Sequence, residues 1–140
     1  MKVYLDASVL VALFTKDALA LRADTLLRTH EPMVIVGDFA AAEFAPAVAR
    51  RVRMGEIAEA SARGLFATFD AWTARVARRA DTTAADVVAA AANLRRLDLT
   101  LHTPDALNIA IAHRLDAVLA TFDRKMATAA RALGTTVLME

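Results

Sequence analysis

Cysteine is absent from the 140 residues, which excludes disulfides and thiolate metal sites. Histidine is sparse and scattered, at His30, His102 and His113, so zinc is not the ion to expect. Glycine and proline number only 4 and 3, too few for a disordered chain. No apolar run approaches the ~20 residues that cross a bilayer, so no membrane span is expected. Lys2 is followed at once by a short apolar run and Asp6, unlike a secretory signal. Net charge is +1, so any polyanion would have to be held by a local basic patch. There is no Walker loop and no Gly-x-Gly-x-x-Gly, hence no support for nucleotide binding through a glycine-rich loop. No internal repeat, low-complexity tract or linker interrupts the chain, and the expectation is one cytoplasmic domain spanning residues 1–140.

What is abundant is apolar side chain, 57% of residues, much of it alanine, which favours helix. Strands are predicted at Lys2–Leu5, Met33–Val36, Ala74–Ala77, Ala117–Ala120 and Thr136–Leu138. Helices are predicted over Ala7–Phe14, Ala18–Thr29, Phe39–Arg51, Glu56–Trp72, Thr83–Arg96, Thr103–Leu115 and Asp123–Leu133. Asp38 reads as an N-cap, Thr103-Pro104-Asp105 as a helix start, and Gly134 as a helix C-cap. Phe66, Phe69 and Trp72 recur at helical spacing and read as core. Strands alternating with helices imply an α/β fold, a mainly parallel sheet covered on both faces by helices.

Four of the 16 acids sit in apolar frames. Asp6 closes the first strand. Glu43 lies within Phe39-Ala40-Ala41-Ala42-Glu43-Phe44-Ala45. Asp105 precedes the apolar face of its helix, and Asp123 ends Leu119-Ala120-Thr121-Phe122-Asp123. Each has an ordinary explanation: Asp6 and Asp123 as helix caps, Asp105 as an acid at a helix N-terminus, Glu43 as a partner of Arg50 or Arg51. Together they suggest a metal site, because adjacent half-buried carboxylates are costly unless a cation lies between them. Oxygen ligands suit Mg²⁺ or Mn²⁺. Ser8 and Thr121 are candidates to orient the carboxylates.

These residues, in this order, resemble the PIN-domain ribonucleases, and within them the VapC-type toxins of bacterial type II toxin–antitoxin systems. The carriers are Leu5-Asp6-Ala7-Ser8, Glu43-Phe44, Thr103-Pro104-Asp105-Ala106-Leu107 with Ala110, and Leu119-Ala120-Thr121-Phe122-Asp123. The resemblance covers essentially the whole chain. It implies a three-layer α/β/α fold with strand order 3-2-1-4-5, and a Mg²⁺- or Mn²⁺-dependent endoribonuclease. Asp6, Glu43, Asp105 and Asp123 would be its catalytic and metal-binding set. It further implies a homodimer and inhibition by a VapB-like antitoxin protein. Pro46, one turn after Glu43, departs from the pattern and bears on the aim of that carboxylate.

An RNA substrate needs cations nearby. Arg124 and Lys125 flank Asp123, and Arg50 follows Glu43 on its stripe; these are the candidate phosphate contacts. Other readings are a phosphatase of the haloacid-dehalogenase type, which would have an acid where Ser8 stands, an RNA-processing nuclease without an antitoxin, and a non-catalytic PIN-like binding subunit.

Overall fold

The computed structural model describes residues 1–139. Five strands form one all-parallel sheet in the order β3-β2-β1-β4-β5. They are β1 (Lys2–Leu5), β2 (Met33–Gly37), β3 (Arg78–Ala80), β4 (Val118–Ala120) and β5 (Val137–Leu138). The helices are α1 (Ala7–Phe14), α2 (Ala20–His30), α3 (Asp38–Arg53), α4 (Glu59–Val76), α5 (Ala84–Leu94), α6 (Thr103–Arg114) and α7 (Arg124–Ala132). Strand order is as the resemblance implied. The central strands are buried on both faces: Val3, Tyr4 and Leu5 of β1 and Leu119 of β4 are inaccessible to solvent. This is why they read as uninterrupted apolar runs rather than alternating ones. No helix among the described residues is long and apolar enough to cross a membrane.

Chain direction explains the placement of everything functional. The connections after β1 and β2 add strands on one side of the sheet, and the chain then crosses back to lay β4 against the other side of β1. The strand order therefore reverses between β1 and β4. In open parallel sheets the crevice outside the carboxyl ends of the strands at such a reversal is where ligands bind.

Several boundaries differ from the sequence expectation. The stretch Ala74–Ala77 is not a strand. Helix α4 runs on to Val76, because its buried stripe continues through Phe69 and Thr73, one turn apart, and Thr73 Oγ1 donates back to the Phe69 carbonyl. The strand follows at Arg78–Ala80, where only Ala80 is buried, as suits an edge. Helix α4 also begins at Glu59 rather than Glu56. Gly55, at φ 75°, turns the chain after α3, and Glu56 N–H returns to the Arg51 carbonyl, so residues 56–58 are spent on the turn. Asp38 is the first residue of α3 rather than its N-cap, which is Gly37; its carboxylate instead accepts from the Thr82 backbone and hydroxyl, tying α3 to the segment after β3. His102, not Thr103, caps α6.

An aromatic cluster fastens α1, α3 and α4. The Phe44 and Phe69 rings stack with centroids 4.2 Å apart, and Phe14 meets Phe44, Phe69 and Trp72 edge-on. Phe44 is the neighbour of Glu43, so this packing fixes the rotation of α3 at which Glu43 meets Asn108 of α6.

Candidate functional site

Asp6 follows β1 and caps α1, and Asp123 follows β4 and caps α7. They accept from Val9 N–H at 3.1 Å and from Met126 N–H at 3.0 Å. The ordinary reading of both residues, helix caps, is therefore true. It does not exhaust them, because each carboxylate has a second oxygen and both stand at the strand reversal.

Asp6 is 5% exposed. Besides Val9, its Oδ1 accepts from Ser8 Oγ at 2.5 Å, and its Oδ2 accepts from Thr121 Oγ1 at 2.7 Å. The two hydroxyls are themselves held: Ser8 Oγ accepts from Phe122 N–H and Thr121 Oγ1 from Asp123 N–H, both at 3.0 Å. A hydroxyl that accepts from a fixed backbone N–H has its own proton directed elsewhere, and here both protons point at Asp6. The loop after β4 thus grips the residue after β1. Burial still pushes the Asp6 pKa up, and these hydrogen bonds only partly offset it.

Glu43 lies on α3, half-buried. Burial raises its pKa, Asn108 opposes the rise, and the charges of Asp6 and Asp105 add to it. Asp105 lies in the first turn of α6, half-buried, and accepts from His102 N–H at 3.4 Å. Its pKa is likewise raised, by burial and by the Asp123 charge. Mutual repulsion thus links Glu43 to Asp6 and Asp105, and Asp105 to Asp123. No ion pair among the described residues includes any of the four. The expected alternative for Glu43 is overturned: Arg51 bonds Asp17 at 3.0 Å, and Glu43 accepts from Asn108 Nδ2 at 2.7 Å. Asp17 is a half-buried clip between the α1–α2 loop and α3.

Helix direction supplies the compensating field. Helices α1, α6 and α7 all begin beside one of these acids, so the positive ends of their backbone dipoles face the carboxylates. Among the described residues, no three acidic or histidine side chains close into a cage tight enough to hold an ion by themselves. Carboxylate oxygens are nonetheless the donors that hard cations prefer. Mg²⁺ dehydrates reluctantly and is held through one or two carboxylates with waters filling the rest.

Asn108 is the residue that the sequence did not single out. It is 3% exposed and sits between Glu43 and Tyr4. The usable signal was an amide inside the apolar frame Ala106-Leu107-Asn108-Ile109-Ala110. Of the cation candidates, Arg50, Arg124 and Lys125 are exposed; Arg124 and Lys125 line a depression of about 270 Å³ with Asp98 and Thr100. Arg22 of α2 lies over the Phe122 ring at 5.2 Å, a further basic group against the loop after β4.

A family model described as "PIN domain" matches residues 3–132. The chain belongs to the PIN domain family. No curated protein sequence matches it significantly. Solved structures similar to this PIN domain include Mycobacterium tuberculosis VapC20, described as a sarcin-ricin loop cleaving toxin. It is 22% identical, with TM-score 0.73, covering 91% of this chain and 94% of that one. VapBC2 from Rickettsia felis, solved bound to a DNA fragment from its promoter, is 15% identical at TM-score 0.73 over 100% and 99% of the two chains. VapBC from Salmonella typhimurium, DNA-bound, is 14% identical at TM-score 0.71 over 99% and 98%. At such identities the likeness is one of fold.

Proposed function

We propose that this PIN domain, a single domain over residues 1–140, is a divalent-metal-dependent endoribonuclease and the toxin of a toxin–antitoxin pair. The observation that carries the reading is Asp6: a buried carboxylate at the strand reversal, gripped by Ser8 and Thr121, whose charge acts on Glu43, itself raised in pKa by burial. Asp6, Glu43, Asp105 and Asp123 are the residues that would hold Mg²⁺ or Mn²⁺. The bound ion would supply an activated water and charge stabilisation at a phosphodiester. Ser8 and Thr121 keep Asp6 in one orientation, and the amino ends of α1, α6 and α7 favour the approach of the phosphate. Arg124, Lys125 and Arg50 give sequence-independent contacts to flanking phosphates. Cleavage is expected to leave 5′-phosphate and 3′-hydroxyl ends.

The antitoxin assignment is supported by the similar structures, several of which are toxin–antitoxin assemblies. The partner expected is a VapB-like antitoxin, with the toxin itself a cytoplasmic homodimer. Cleavage of total RNA is measured with Mg²⁺ or Mn²⁺, with EDTA, and for Asp6→Asn. Activity in the first condition alone is the expected outcome; equal activity in all three overturns the metal mechanism. Growth arrest on induction, relieved by Asp6→Ala and by co-expression of the neighbouring small gene, is the outcome that the toxin reading requires; an RNA-processing nuclease or a binding subunit would give neither.

A further inference from the structure

The amide of Asn108 is fully committed. Tyr4 Oη donates to its Oδ1 at 2.7 Å. Its Nδ2 donates to Glu43 Oε1 at 2.7 Å and to the Pro104 carbonyl at 3.1 Å. Only one orientation of the amide serves: turned over, its oxygen would face two acceptors, and its nitrogen would face a hydroxyl already aimed at it. Tyr4 is fully buried. A phenol is protonated at neutral pH, so Tyr4 Oη is a donor to the amide oxygen. Gly37 makes room for the phenol. A Cβ at Gly37 would lie 2.3 Å from Tyr4 Oη and 3.0 Å from Cε2 and Cζ. The backbone at Gly37 is ordinary, φ −73° and ψ 150°, so glycine is required there for space and not for conformation.

We propose that Gly37, Tyr4 and Asn108 form a positioning relay that holds the Glu43 carboxylate in its metal-binding orientation. The relay rests on the metal-nuclease reading above and adds to it three residues that touch neither ion nor substrate. The chemistry is that of a ligand oriented from behind. A glutamate on a helix surface has three free torsions, and ordering them costs free energy when the ion binds. A neutral amide with fixed polarity orders them beforehand without adding a charge to a crowded site. Losing such an outer partner typically weakens metal binding about 10–100-fold. The relay also answers the departure at Pro46. A proline there cannot donate to the Ala42 carbonyl, so α3 carries one hydrogen bond fewer in the turn beyond Glu43, and the constraint on that side chain arrives from α6 instead.

The test is Mn²⁺ binding to the full chain by isothermal titration calorimetry, with thermal melting in EDTA to monitor the fold. Asn108→Leu is expected to weaken Mn²⁺ at least tenfold, and Tyr4→Phe, which keeps the ring, about threefold to tenfold. Gly37→Ala is expected to weaken it as well. The double variant Gly37→Ala/Tyr4→Phe is expected to bind no worse than Tyr4→Phe alone, because both lesions act through one hydroxyl; independent structural damage would be additive. If Asn108→Leu fails to fold, Tyr4→Phe and the double variant decide. Wild-type Mn²⁺ affinity in Tyr4→Phe and Asn108→Leu overturns the relay and leaves the metal reading intact. A wild-type chain that binds no Mn²⁺ overturns both.

Discussion

Thr121 and Asp6 are 115 positions apart, and the Thr121 hydroxyl donates to the Asp6 carboxylate at 2.7 Å. Strand β4 lies directly against β1, so the residues just past their ends are neighbours. The bond exists because the strand order reverses between them. It converts a helix cap into an oriented acid.

Asp6→Asn separates charge from fold. Asparagine caps helices as well as aspartate, so α1 is retained. Burial raises the Asp6 pKa above its ordinary 3.8. A raised acid favours the protonated form in the fold, so its ionisation costs stability as pH rises through the interval above 3.8. Denaturant titrations from acid to neutral pH are expected to show wild type losing stability relative to Asp6→Asn over that interval. RNA cleavage by the variant is expected to fall about 100-fold or more.

Thr121→Val keeps the shape and removes the hydroxyl with its bonds to Asp6 and Asp123. The Asp123 N–H loses its acceptor and Asp6 loses a donor. A destabilisation of about 1–3 kcal/mol is expected in urea unfolding. Mn²⁺ is expected to bind about tenfold more weakly.

Asp86, 1% exposed, links α5 to α6 through two bonds from Arg114, at 2.7 and 3.0 Å. Burial alone would raise its pKa; the bonds from Arg114 and Thr83 outweigh this and hold it below the ordinary 3.8. A depressed acid stabilises above its unfolded value, and that contribution is lost as pH falls through the lower folded one. Arg114→Ala is expected to cost about 2 kcal/mol near neutrality. This is below the usual cost of orphaning a buried charge, because Arg114 is itself partly solvated. Acid unfolding compared with wild type checks the sign: the difference should shrink below pH 3.8.

Arg124→Ala and Lys125→Ala test the phosphate contacts. Each is expected to reduce the slope of log K against log salt by about 0.7 for a single-stranded RNA. Fluorescence anisotropy with catalytically silent Asp6→Asn protein measures it. An unchanged slope removes that residue from the interface.

Phe44→Ala opens the aromatic cluster beside Glu43. A loss of about 3–5 kcal/mol is expected by chemical denaturation. Phe44→Leu, with more volume kept, should lose less.

Local chemistry made much of this legible. Asp6, Glu43, Asp105 and Asp123 stood out because a carboxylate in an apolar frame has few reasons to be there, and Ser8 and Thr121 were read as their orienting hydroxyls. Where a boundary was missed, a long-range contact overruled the local signal. Residues 74–76 joined α4 because Phe69 and Thr73 bury one stripe. Asp38 left its capping role because Thr82, 44 positions away, offers it two donors. Asn108 was missed because nothing adjacent in sequence marks an amide as the contact of a distant glutamate. Arg51 passed over Glu43 for Asp17, a choice made by the α1–α2 loop.

By itself, the sequence determined the alternation of strands and helices, the buried character of the central strands, and which side chains carry charge inside apolar surroundings. Those are properties of residue type and period. Tertiary structure alone decided which acids repel one another, which hydroxyl grips which carboxylate, and which amide stands behind Glu43. Each of these depends on strands that become neighbours only after the chain crosses back over the sheet.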